Sequence, residues 1–414
     1  MAKHSKKTRR EISRPNWPNL HSDMLDLILD RLCFIDMLRF RAVCTSWRSI
    51  AKTHISSSSL PLYSSNLQPP YLLLPQGYVD DDDQDGLDHS RCFFNLADKT
   101  FIELNNMPKA LSQSRCVGSS QGWLLFLDEN NTPRILNPFL DVSVRPYFHH
   151  MLSFITKAVL WKDPIVSDNN YGIVAIYGFN FQSKLAYSKC GDSNWFELAG
   201  SHETYCDIIC CRDYVYALAD VGSVEAWDFN CSIPRKIMDI EAYFPEERVE
   251  FEKSLNDLYS SQFYLVESLG ELLLVIRYIG EFVGYDGEVV GEADFDDGLI
   301  YPYMTKFFHV YKLDFKKKKW EKMGSLRDRM LFLGGNQSIS LSTQNFSEYE
   351  ENSIYFTDDS WDRMDEHYEY GGHDMGIFNL KDDCVKQITG IEDLQKFQPP
   401  PFWVVPTNSV QWQP

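Results

Sequence analysis

Between Trp17 and Ala51 the apolar residues recur at helical spacing. Leu25, Ile28, Leu29 and Leu32 fall at i, i+3, i+4 and i+7, with Ser22, Asp26 and Asp30 opposite, so a short amphipathic helix is predicted. Ser22 and Asp23 suit its first turn, where side-chain acceptors and negative charge favour the free N–H groups. Asp36 stands ready to cap a second helix carrying Met37, Leu38 and Phe40, and Thr45 and Ser46 to start a third with Trp47, Ile50 and Ala51 on one side. Three helices this short bury little of their own surface, and modules of such size need a staple or a partner. The surplus apolar surface predicts docking onto another protein.

The texture changes after a Ser- and Pro-rich stretch, SSSSLPLYSSNLQPP, which reads as a linker. From Tyr71 onward short apolar or alternating runs are separated by turn residues, the pattern of an all-β domain. Strand pairs recur: Gly122–Phe126 with Arg134–Leu136, Tyr171–Tyr177 with Lys184–Tyr187, and Asp213–Leu218 with Ser223–Trp227. Glu271–Ile276 with His309–Leu313, and Ser353–Phe356 with Gly376–Phe378, repeat the scheme. A polar turn and then an outer strand are expected over Asp192–Leu198 in one unit, and over Lys316–Lys319 with Trp320–Met323 in another. Four-stranded units of this kind cannot bury their own faces alone, which predicts radial stacking in a propeller, with a β-sandwich pair as the alternative. The irregular spacing is attributed to two acidic insertions, about Glu281 to Leu299 and about Ser347 to Asp374.

Two resemblances sharpen this outline. Leu20, Leu25, Ile28, Leu29, Leu32, the Asp36-Met37-Leu38 entry, Val43-Cys44 and Trp47-Arg48 resemble, in order and without gaps, the F-box of Skp-cullin-F-box ubiquitin ligases. The family's two Leu-Pro pairs read Leu20-His21 and Leu32-Cys33 here, and losing a fixed φ twice is expected to loosen those corners and weaken adaptor binding. The stretch from Met323 to Gly334, then Asn352–Phe356, Met375–Phe378 and Pro399–Trp403, is similar to the kelch-like domain of unknown function that follows the F-box in a large plant family. That likeness spans about Arg91 to Pro406 and implies a β-propeller that binds a target.

The expected architecture is therefore mainly β with a small α module: a basic disordered arm over 1–14, a three-helix F-box over 15–55, a linker over 56–70 and the propeller over 71–406. Composition limits the function. A formal net charge of −19 argues against nucleic-acid binding by the main body, because phosphate neutralisation needs Lys and Arg. Only the arm is basic, with Lys3, Lys6, Lys7, Arg9 and Arg10, and reads as a nuclear-import signal or a solvated terminus. No apolar run reaches the length of a membrane span, so a soluble protein of the nucleus and/or cytoplasm, with its ten cysteines reduced, is expected.

Catalytic and metal motifs are weak. Gly118-Ser119-Ser120-Gln121-Gly122 matches the hydrolase G-x-S-x-G elbow, but Trp123–Leu127 reads as strand where that mechanism needs a helix, which favours a β-turn. Asp81 to Gly86 opens like a calcium loop, yet position 12 is Cys92 and the flanks look extended. His202, Cys206, Cys210 and Cys211 have a zinc-like spacing, but the apolar residues between them suit thiols packed in a strand. His367 and His373 lie in a polar insertion. No cofactor, metal or catalytic residue is expected.

The reading is a non-catalytic substrate adaptor. Leu20, Leu25, Ile28, Leu29, Leu32, Val43, Cys44 and Trp47 are expected to contact a Skp-type adaptor, and through it cullin. An unknown target, basic if the acidic insertions steer it, is expected on the propeller. The rivals are a propeller enzyme with a helical cap and an F-box scaffold outside any ligase.

Overall fold

A computed structural model gives the architecture and describes residues 17, 20–32, 34–57, 69–75, 91–103, 114–120, 122–128, 132–138, 142–144, 154–165, 167, 169–179, 182–212, 214–219, 222–255, 258–284, 287–291, 303–359, 372–391 and 400–405. Two compact units divide the chain, Met1–Gln68 and Pro69–Pro414. The basic arm, Cys33, the Asp81–Gly86 run and His367 lie outside the described residues.

In the first unit three helices form where the apolar spacing predicts them: α1 (Ser22–Leu29), α2 (Phe34–Val43) and α3 (Thr45–Ser57). Their boundaries differ from expectation in instructive ways. The cap of α1 is His21, whose Nδ1 accepts from the Asp23 N–H at 3.4 Å. Its φ of −63° is the value proline would fix, so this corner has the backbone a proline would impose without the ring. Helix α2 begins ahead of Asp36, which therefore sits in the first turn and pairs with Arg39 at 3.1 Å. Cys44 caps α3, its Sγ accepting from the Trp47 N–H. Leu25, Leu29, Met37, Phe40 and Ala51 make the core, with Phe40 and Trp47 in ring contact at 4.4 Å. His54 near the end of α3 reaches Asp26 of α1 at 2.9 Å, tying the first helix to the last.

The second unit is a six-bladed propeller, which settles the choice against a sandwich. Blade 2 is Arg115–Ser120, Trp123–Leu127, Pro133–Asn137 and Val142–Val144; blade 3 is Ile155–Leu160, Gly172–Phe179, Gln182–Lys189 and Phe196–Glu197. Blade 4 is Tyr205–Cys211, Tyr214–Ala219, Val224–Asp228 and Arg235–Ile240, followed by α4 (Glu246–Ser254); blade 5 is Tyr259–Ser268, Glu271–Gly280, Met304–Asp314 and Lys319–Met323. Blade 6 has five strands, because Arg329–Leu333 pairs antiparallel with Ser338–Ser342 and parallel with Ser353–Phe356, before Gly376–Asn379 and Cys384–Lys386.

Blade 1 closes the ring from both ends of the unit. Phe402–Val404 pairs antiparallel with Tyr71–Pro75, which leads to Arg91–Asn95 and Thr100–Glu103. The seam is fastened by polar groups: Asn336 Nδ2 donates to the Trp403 carbonyl at 2.6 Å, and the Asn336 carbonyl accepts from Ser119 N–H at 3.1 Å. Between blades 1 and 2, Arg91 lies over Phe126 and Phe402 and donates to the Ser114 carbonyl. Burial brings the Arg91 guanidinium down to about 10.

The remaining blades pack face to face through apolar clusters. Val159, Val174 and Trp227 join blades 3 and 4, and Leu218, Leu274 and Trp320 join blades 4 and 5. Burial on both faces explains why Leu272–Ile276 is continuously apolar, while the outermost Arg235–Ile240 alternates. The first strands of blades 2 and 3 approach closely at Gly118, where a Cβ would lie 1.8 Å from the Ala158 carbonyl oxygen. That approach, rather than a nucleophile elbow, accounts for the glycine: Gly118–Ser120 is strand, Gly122 turns at φ 78°, and strand resumes at Trp123.

Candidate functional site

The helical unit presents two apolar faces. Leu25 and Leu29 are 0% and 2% exposed, whereas Met24 and Leu27, on the opposite flank of α1, are 55% and 60% exposed. Val43 at the end of α2 is 54% exposed, and Trp17, ahead of α1, is exposed as well while its carbonyl accepts from Trp47 Nε1 at 3.2 Å. The expected contact set is thus split. Leu25 and Leu29 lie in the core of the helical unit, with almost no surface exposed. Leu20, Ile28, Leu32 and Trp47 pack half-buried against that core, Cys44 is half-buried as a cap, and Val43 alone of the set is fully outward. Leu32 lies past the end of α1, which terminates at Leu29 with Asp30 as its cap. Met24 and Leu27 were not in the expected set; their i, i+3 spacing, opposite the core stripe, was the available signal.

On the propeller, the described bases of the two acidic insertions meet. Arg277, a lone cation in the apolar strand of blade 5, is buried and pairs with Asp359 at 3.1 Å and Asp374 at 2.9 Å. Its Nε donates to Thr305 Oγ1 and its Nη1 to the Thr357 carbonyl. Asp374 also accepts from the Thr305 N–H, and Tyr303 Oη donates to Asp358 at 2.6 Å. His373, read from sequence as part of a polar insertion, sits here with Nε2 3.0 Å from the Tyr303 carbonyl oxygen. Residues 303–305, 357–359 and 373–374 therefore share one buried network. Burial opposes the charge of Arg277, but Tyr264, Asp374 and Asp359 hold its pKa above the ordinary value.

Asp358 has the reverse balance: burial, then the neighbouring Asp374, push it up to about 6 from 3.8. Between about pH 4 and 6 the native state then holds a proton that the unfolded chain has lost, so this group's contribution to stability is full below about pH 4 and lost as pH rises through about 6. Asp358→Asn keeps an acceptor for Tyr303 and removes that titration. It is expected to be more stable than the wild type at pH 7 by up to about 3 kcal/mol, a margin that vanishes toward pH 4 in urea titrations.

The zinc-like spacing dissolves. Cys206 packs with the cluster between blades 4 and 5, and Cys210 with the cluster between blades 3 and 4, its Sγ directed to the Trp161 carbonyl. His202 turns instead toward Glu225 and Asp239.

An F-box module and a six-bladed propeller define a class, and comparison with known proteins gives the family. Residues 17–57 match the F-box domain and residues 93–379 the KIB1-4 beta-propeller. The chain belongs to the KIB1-4 beta-propeller family. Among its Arabidopsis thaliana relatives, F-box protein SKIP23 is 23% identical, covering 94% of this chain and 95% of that protein. F-box/kelch-repeat protein KIB1 is 26% identical over 88% of this chain and 83% of its own length, and F-box protein KIB2 is 25% identical over 84% and 73%.

Proposed function

We propose that the chain is the substrate-recognition subunit of a Skp-cullin-F-box ubiquitin ligase, acting in the nucleus or cytoplasm. The helical unit binds a Skp-type adaptor and through it cullin. The propeller holds a target protein, to which other subunits transfer ubiquitin for proteasomal degradation. Such a subunit needs no active site, because raising the target's local concentration beside a conjugating enzyme is its catalytic contribution. The observation that carries the reading is an F-box core that keeps Met24, Leu27 and Val43 more than half exposed, joined in one chain to a target-sized propeller. Those three residues form the centre of the adaptor contact, flanked by Leu20, Ile28, Leu32, Cys44 and Trp47. Leu25 and Leu29 hold the helices that present it.

The target segment is basic. Glu281–Leu299 carries seven carboxylates with no Lys or Arg, and Ser347–Asp374 carries ten with Arg363 its one basic residue besides histidine, seven of the ten lying outside the buried Arg277 network of Asp358, Asp359 and Asp374. Charge of that density steers a cationic partner.

Affinity capture with the full chain tests the proposal. The Skp-type adaptor and cullin are expected together, and target capture is expected to fall steeply between about 50 and 300 mM salt, as screening shortens the range of charge attraction. Adaptor without cullin would replace the ligase reading with the scaffold one. Capture of neither would overturn both, and salt-independent target capture would remove the basic segment.

A further inference from the structure

His202, Glu225 and Asp239 stand together at one end of blade 4, their ligand atoms all within 4.8 Å of one another. His202 lies in the segment entering the blade, Glu225 near the start of the third strand and Asp239 near the end of the outermost. Glu225 is fully buried and held rigidly: Ser201 N–H donates to its Oε1 at 2.7 Å, and Tyr205 Oη and Trp227 Nε1 donate to its Oε2 at 3.0 and 3.2 Å. Asp239 Oδ2 accepts from Ser201 Oγ at 2.7 Å. The Lys236 ammonium lies against both carboxylates, 3.1 Å from Glu225 and 2.8 Å from Asp239, and also contacts Ser201 Oγ.

His202 is the unexplained member. Its Nε2 is buried, makes no hydrogen bond, and stops 3.9 Å from Asp239 Oδ1. That separation is too long for a hydrogen bond. It suits two ligands on one ion, since metal bonds of about 2.0–2.2 Å with that spacing subtend an angle of about 135°. Closing by about half an ångström would bring the pair to tetrahedral geometry.

We propose that His202, Glu225 and Asp239 form a seat for a divalent transition metal of the zinc class, which Lys236 occupies with its ammonium when the ion is absent. One imidazole and two carboxylates are a ligand set zinc accepts, with a fourth position left for water. Lys236 does not preclude the ion. Its long side chain is partly exposed and swings outward at small cost, exchanging one positive charge for two beside a pair of carboxylates. The bound ion ties the entry segment to the third and outer strands, so it stabilises blade 4.

The test titrates the full chain with zinc chloride alone and, separately, with cobalt chloride. One equivalent is expected to bind and to raise the thermal midpoint, with visible cobalt d–d bands and no thiolate-to-cobalt charge transfer. His202→Gln is expected to weaken zinc binding about tenfold or more, and Lys236→Met to strengthen it several-fold by removing the competitor. Circular dichroism checks the fold of both, and should His202→Gln unfold, Lys236→Met alone decides. Unchanged affinity in the variants, a thiolate charge-transfer band signalling cysteine ligation, or no binding to the wild type would overturn the proposal.

Discussion

Arg277→Met is expected to destabilise the propeller by about 3–5 kcal/mol, the typical loss when one member of a buried ion pair is removed. The arginine sits in an apolar strand of blade 5, and its removal leaves Asp359 and Asp374 buried without the guanidinium they share. It also strips donors from Thr305 Oγ1 and the Thr357 and Asp374 carbonyls. Lysine would not replace it, because a single ammonium cannot serve six acceptors spread around a planar fork. Methionine fills the space beside Phe356, now occupied by the guanidinium 4.7 Å from the ring centre, so the loss reports charge rather than a cavity. Urea unfolding of the full chain, following the transition of the larger unit, checks this. Adding Asp374→Asn should restore part of the loss, since the two substitutions share one network. A loss below about 1 kcal/mol would mean that the bases of the two insertions are held by something else.

Leu29→Asp is expected to be as damaging to the helical unit, for a different reason. Leu29 packs against Leu25, Met37, Phe40 and Ala51, and a carboxylate there would be set among apolar side chains and cut off from water. The penalty of several kcal/mol exceeds what a unit of this size has to spare. Its helical signal should collapse while the propeller's unfolding transition stays in place, and adaptor binding should go with the helices. A folded variant that fails to bind would instead return Leu29 to the contact surface.

Much of this was legible in the sequence, and the gaps have physical causes. The helical stripe of Leu25 and Leu29 was read correctly as a face, but periodicity cannot say whether a face is shared with neighbouring helices or offered outward. Five strand pairs were found because their apolar runs are flanked by turn residues. The closing strand was not, since Phe402–Val404 is three residues long and its partner Tyr71–Pro75 lies at the other end of the domain. The parallel pairing inside blade 6 is likewise a long-range event without a local mark. Helix α4, EERVEFEKS, is polar almost throughout and shows no apolar stripe to find. Arg277 was visible as a charge inside Leu272–Tyr278, yet its partners lie 82 and 97 residues further on, so nothing nearby identified them. His202 was singled out with the cysteines that follow it in sequence. A bulge between Tyr205 and Asp207 sets Cys206 and Cys210 into cores on opposite sides of blade 4, while pairing with the outer strands brings Asp239 within reach.

The central claim is that the outward flank of α1, not its core stripe, meets the adaptor. Calorimetric titration of a Skp-type adaptor into the full-length Leu27→Asp variant tests it most directly, because Leu27 is exposed and the substitution leaves the core untouched. A loss of about 2–3 kcal/mol, or roughly 30- to 150-fold in affinity, with circular dichroism unchanged is the result the account predicts. Wild-type affinity in a folded Leu27→Asp variant would contradict it.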